Sequence, residues 1–239
     1  MEHILPHGWV SMSVKRQRWL IIADSLALPR PGVRYEATWP YLLQERFIDW
    51  DWVNLANRSS TTRRLVTDGD VGSDCLEAYA PDGVILHLGI CDCAPRLYRH
   101  RSILQHLIFR LPSSLSSKIN RYVERILGRQ ISNAIVSADW FRANLENYLQ
   151  RCNKSGTQVI ALEIFPVGGE MLGKNPEITS QIVQYNRIYR ELELLHANLR
   201  VLSVFEQDEK IDEFTVDGYH LNDLGNEQVA MALKKCLPK

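Results

Sequence analysis

Five short apolar runs, at 19–23, 52–56, 83–88, 158–164 and 199–204, alternate along this chain with longer amphipathic stretches. Runs of four to seven apolar residues, too short for buried helices, read as strands buried on both faces. The stretches between them, at about 35–47, 74–79, 140–152 and 178–195, with a last one at 223–236, read as helices. Strands joined by helical crossovers make a parallel sheet with helices on both faces, so the expectation is an α/β three-layer sandwich. At 239 residues the chain is long for one domain, but within the range of one α/β unit with a large core. A single domain over 1–239 is expected, without internal repeats or low-complexity tracts.

Open parallel sheets bind ligands at the carboxyl ends of their strands. The first strand ends in Ala23-Asp24-Ser25-Leu26, and the junction before the last helix reads Asp217-Gly218-Tyr219-His220-Leu221-Asn222. Together they offer a hydroxyl nucleophile, an imidazole base and a carboxylate to orient it. The three-residue step from Asp217 to His220 lets one turn join the carboxylate to Nδ1–H, leaving Nε2 free to accept the Ser25 proton. Asn222, just before the last helix, has the position of an N-cap.

Both segments resemble the GDSL/SGNH hydrolase family, whose first block is similar to Ile22-Ala23-Asp24-Ser25-Leu26 and whose last block is similar to Asp217-x-x-His220-Leu221-Asn222. The resemblance implies a flavodoxin-like strand order of 2-1-3-4-5, Ser25 as nucleophile, His220 as general base and Asp217 as its partner. It also implies an oxyanion hole built from the Ser25 backbone N–H and two further positions. Ser59, with Ser60 as its neighbour, stands where the family usually has glycine, and a backbone N–H survives that change if the residue can adopt the required φ and ψ. Cys91, in Gly89-Ile90-Cys91-Asp92, stands where the family carries asparagine, and a thiol is a weak donor. The implied activity is transfer of a small acyl group from an ester, with O-acetylated carbohydrate as the leading substrate class. A sugar O-acyltransferase with the same triad, or a binding protein that has lost oxyanion chemistry, are the alternatives.

Asp24 and Arg96 are further substrate-binding candidates; Arg96 would fork onto a carboxylate or phosphate, or else pair with Asp92 and brace the loop. Cys91-x-Cys93 lacks a second pair at zinc spacing, so no metal or other cofactor is expected. Gly-x-Ser-x-Gly, Gly-x-Gly-x-x-Gly, phosphate-loop and His-Glu-x-x-His motifs are all missing from the chain.

The 28 basic and 28 acidic residues balance, which gives no reason to expect a nucleic-acid partner. Charge is uneven locally. From 96 to 129 the chain carries eight Lys or Arg residues against Glu124 alone, interleaved with Ile103, Leu104, Leu107, Ile108 and Phe109. A basic helical insertion at about 96–135, broken at Pro112-Ser113-Ser114, is expected there. It reads either as a lid or surface for an anionic membrane or phosphate-linked carrier, or as a solvated helical pair packed on the core. Five scattered cysteines and an N-terminus without an apolar h-region suit a cytoplasmic protein with reduced thiols.

Overall fold

The computed structural model describes residues 16–67, 69–72, 74–94, 134–206 and 210–238. Its strands are β1 (Arg18–Ala23), β2 (Asp51–Asn54), β3 (Gly83–His87), β4 (Gln158–Leu162) and β5 (Leu199–Leu202). They form one parallel sheet in the order β2-β1-β3-β4-β5. The helices are α1 (Trp39–Arg46), α2 (Cys75–Tyr79), α3 (Ile90–Cys93), α4 (Ala138–Lys154), α5 (Gly169–Lys174), α6 (Ile178–Leu195) and α7 (Asp223–Cys236). Helix α1 packs on α7 and α4 on α6, the two layers of the sandwich. All of β3, and β1 from Trp19 onward, are buried, which is why these strands are continuous apolar runs and do not alternate.

Most boundaries lie within two residues of expectation, and α6 and α7 coincide with it. The stretch 35–47 is different: it divides into a 3-10 turn, Tyr35–Ala37, and α1. Pro40 is the reason, because it has no N–H to give the Glu36 carbonyl and its ring would clash there. It fits the first turn of a helix that begins at Trp39 instead.

Two long-range clamps set the carboxyl ends of the central strands. The Asn186 side chain of α6 pairs with both main-chain groups of Ile164, each at 2.8 Å, just after β4. Tyr189 donates its hydroxyl to the Leu88 carbonyl just after β3, at 3.1 Å. At the other end of the sheet, Trp19 stacks on Trp50 and meets Trp52 at a tilt, while Trp50 and Trp52 stack on each other, a cluster that closes edge strand β2 onto β1. The expected insertion falls almost entirely on 95–133, outside the described residues.

Candidate active site

Strands β1 and β3 are neighbours whose crossovers leave in opposite directions, so a crevice opens where they end. In register, Ala23 lies beside His87, and the ladder runs one step further through Asp24 N–H to the His87 carbonyl at 3.1 Å. The chain then turns at once. Asp24 caps a 3-10 turn over Ser25–Ala27, its Oδ1 accepting the Leu26 N–H at 2.9 Å, and Ser25 is delivered at the mouth of the crevice.

His220 arrives from the opposite end of the chain on a tight loop. Thr215 bridges Leu221, Val216 N–H donates to the His220 carbonyl at 2.8 Å, and Asn222 N–H to that of Phe214 at 2.9 Å. Gly218, at φ 86°, lets the loop reverse between Asp217 and His220. Asn222 caps α7 through the Gly225 N–H at 3.0 Å. The result is a continuous hydrogen-bonded chain: Ser25 Oγ to His220 Nε2 at 3.0 Å, and His220 Nδ1 to Asp217 Oδ2 at 2.7 Å. With Nδ1–H donating to the carboxylate, Nε2 is the acceptor for the Ser25 hydroxyl.

Electrostatics favour the base form of the imidazole. Burial pushes His220 down, Asp217 pulls it back up, and Arg30 and Arg58 push it down again, to about 4. For Asp217, burial raises the carboxyl, but the His220 N–H and imidazole outweigh it and hold it below the ordinary range. At neutral pH the pair is therefore carboxylate and free imidazole, the state able to take a serine proton.

A cleft of ≈ 350 Å³ opens on Ser25, with Ser59, Cys91 and Tyr219 among its polar lining and Ile90, Ala94 and Met171 as its apolar wall. Ser59 sits at φ 58°, in the left-handed region that glycine adopts without strain. Ser60 is buried instead and takes a hydrogen bond from Arg64 at 3.2 Å. Cys91 follows Gly89 (φ 127°) on the short helix α3 and reaches the cleft wall.

Beneath the cleft lies a buried polar layer. Asp92 accepts from both the backbone N–H of Thr62 (2.9 Å) and its hydroxyl (2.6 Å), and Asn144 donates to the same hydroxyl at 3.2 Å. This clamp ties α3 to the 3-10 turn after β2 and to α4. Burial raises the Asp92 carboxyl to about 7, against the Thr62 hydrogen bonds and with help from nearby Asp24.

The placement of Asp24 overturns its reading as a substrate ligand. Its exposure is 0%, its Oδ1 caps the Ser25 turn, and burial, partly offset by Leu26 N–H and the Cys91 side chain, raises it to about 7. It supports the nucleophile turn from below. Arg96 lies outside the described residues. Ile90, Ala94, Met171 and Tyr219 were invisible in the sequence as cleft residues, because nothing in their spacing marks them; only Tyr219, inside the Asp217–His220 step, lay in a segment already singled out. Among the described residues no cluster of three or more His, Cys, Asp or Glu side chains is placed to hold a metal ion.

A doubly wound α/β sheet with a serine–histidine–aspartate chain at its switch point is the architecture of a serine hydrolase. The chain belongs to the GDSL-like lipase/acylhydrolase family, which matches residues 24–228, and is a serine esterase of the GDSL/SGNH kind. Solved structures share its fold. An acetyl xylan esterase superposes with a TM-score of 0.62 at 18% identity, covering 92% of this chain and 100% of the other. An α/β hydrolase enzyme from the metagenome of Lake Arreo, Spain, gives 0.62 at 17% identity (93% and 97% covered). A psychrotrophic esterase from Pseudoalteromonas sp. gives 0.53 at 17% (92% and 98%). No curated protein matches the chain in sequence.

Proposed function

We propose that this protein hydrolyses esters of small acyl groups, with O-acetylated carbohydrate as its substrate class, through an acyl-enzyme on Ser25. The observation that carries the reading is the Ser25–His220–Asp217 chain, at 3.0 and 2.7 Å, opening onto a cleft of ≈ 350 Å³. His220 Nε2 takes the Ser25 proton as Oγ attacks the ester carbonyl. The backbone N–H groups of Ser25 and Ser59 stabilise the oxyanion, and the Cys91 thiol stands where a third donor is expected. The imidazolium then gives its proton to the leaving alkoxide, and water, activated by the same imidazole, releases the acid and Ser25.

Acyl size follows from the wall: Ile90, Ala94 and Met171 bound an apolar space suited to a short chain. Ser59 at the rim is exposed, so water reaches the reacting centre, which favours hydrolysis over transfer to a bound acceptor. The fold shared with an acetyl xylan esterase supports the carbohydrate class.

The test is turnover of p-nitrophenyl acetate, butyrate and octanoate and of acetylated xylan by the wild type and Ser25→Ala, with fluorophosphonate labelling of both. Acetyl turnover and labelling that vanish together in Ser25→Ala, with acetate released from the polysaccharide, are the expected result. Preference for octanoate would replace carbohydrate by lipid as the substrate class. A folded wild type that neither labels nor turns over would make the fold a binding scaffold.

A further inference from the structure

Asp217 has a second partner. The Arg30 Nη1 reaches Asp217 Oδ2 at 3.1 Å, the same oxygen that His220 Nδ1 approaches at 2.7 Å. Oδ1 is held within the loop, by the N–H groups of His220 at 2.9 Å and Tyr219 at 3.4 Å. The Asp217 side chain is 36% exposed, whereas that of Arg30 is 14% exposed. A carboxylate on a short, partly solvated loop has rotamers that turn it away from its histidine; the guanidinium closes that escape.

Arg30 is itself fixed. Its backbone N–H donates to the Val33 carbonyl at 3.1 Å and its carbonyl accepts the Val33 N–H at 2.9 Å, around Gly32 at φ 88°. Arg58 donates to the Pro29 carbonyl at 3.0 Å and braces the same turn from the loop after β2. This turn directly follows the Ser25 turn, so nucleophile and clamp leave the sheet on one segment.

We propose that Arg30 is a positioning residue of this esterase, holding Asp217 against His220 and setting a fixed positive charge beside the imidazole. The proposal rests on the assignment of Ser25, His220 and Asp217 to the reaction. Its electrostatic half follows from sign. A carboxylate stabilises an imidazolium, and a cation shared with that carboxylate weakens the effect and repels the imidazolium directly. Among the described residues, the charged and titratable groups around His220 are Asp217 and Tyr219 on its own loop, Arg30 from the turn after β1, and Arg58 from the loop after β2. Asp217 alone among them holds the imidazolium, and Arg30 is bonded to it. An arginine stays charged throughout, even with burial pulling it down as it does here.

The experiment is kcat/KM for p-nitrophenyl acetate from pH 4 to 9 in the wild type, Arg30→Met, Arg30→Lys, Asp217→Asn and the double variant Arg30→Met/Asp217→Asn, with melting curves for each. In Arg30→Met the acid limb moves up by about one pH unit, the effect of one neighbouring charge. Arg30→Lys, which keeps the charge, returns it most of the way. On the alkaline plateau, Arg30→Met costs several-fold alone and nearly nothing on top of Asp217→Asn, since the clamp then has no carboxylate to hold. An acid limb that stays put in Arg30→Met, or plateau losses that multiply in the double variant, overturns the proposal while Ser25→Ala remains dead and the esterase assignment stands. An active Ser25→Ala overturns the assignment itself, and the clamp with it. If Arg30→Met does not fold, Arg30→Gln, neutral but still able to donate to Asp217, is read by the same acid limb.

Discussion

Cys91 stands where the family resemblance implies an asparagine, and the difference has a measurable consequence. It lines the cleft with Ser25 and Ser59, and in the proposed mechanism it has the position of the third oxyanion donor. Removing one oxyanion donor costs about 3 kcal/mol in serine hydrolases, and a thiol recovers only part of that. Cys91→Asn is therefore expected to raise kcat for p-nitrophenyl acetate by roughly 10- to 100-fold with KM little changed; steady-state kinetics of the two proteins checks it. An unchanged kcat would mean that the two backbone donors already suffice. That Ser25, Asp217 and His220 come together is legible in the sequence, because local order says so: a serine at a strand end, a three-residue step, a helix cap. The role of Asp24 is not legible there, because burial is a tertiary property, and the same acidic side chain serves as a cap or as a ligand depending on which way the turn faces. Nor is that of Arg30, whose partner lies 187 residues away with no spacing to connect them.

The short helix α3 shows how one backbone position carries a whole element. Gly89, between β3 and α3, has φ 127°, and a Cβ there would lie 2.6 Å from the Ile164 side chain. Ile164 cannot retreat, because Asn186 pairs with both of its main-chain groups and it is itself buried. Gly89→Ala is expected to destabilise the fold by about 2–3 kcal/mol, from strain and overpacking together. The shift propagates along α3, which carries Cys91 at the cleft and Asp92 on the Thr62 clamp, so esterase activity falls with it. Urea unfolding gives the first quantity and p-nitrophenyl acetate turnover the second; full activity at lowered stability would show that α3 holds its place without the glycine. At this scale the sequence was mostly readable, since apolar runs and helical stretches report their own period. Element ends were less so, as the division of 35–47 at Pro40 illustrates: the amphipathic pattern continues through a position that the backbone cannot.

At the scale of the whole molecule, Asp24, Asp92, His87 and His220, all buried among the described residues, set opposing trends in stability with pH. Burial raises Asp24 and Asp92 from 3.8 to about 7, so between those values the native state holds two protons that the unfolded chain has lost. Each such proton makes stability fall as pH rises, by about 1.4 kcal/mol per unit. The histidines do the reverse. His87, with both ring nitrogens buried and unpartnered, is lowered from 6.5 to about 3, and His220 to about 4, so below 6.5 the unfolded chain binds protons that the native state refuses. That makes stability rise with pH. Between about 4.5 and 6.5 the two pairs oppose each other, and stability in that window is expected to be nearly flat. Asp217, whose carboxyl is lowered, contributes stability that is lost only further into acid. Asp92→Asn unbalances the set: the amide oxygen can still accept from Thr62, but one native-held proton is gone. Its unfolding free energy from urea titrations should then rise from pH 4.5 to 6.5 by roughly 1.4 kcal/mol per unit, where the wild type stays level. A variant as flat as the wild type would mean that Asp92 is already ionised in the native protein at pH 5, its Thr62 hydrogen bonds outweighing the desolvation that buries it.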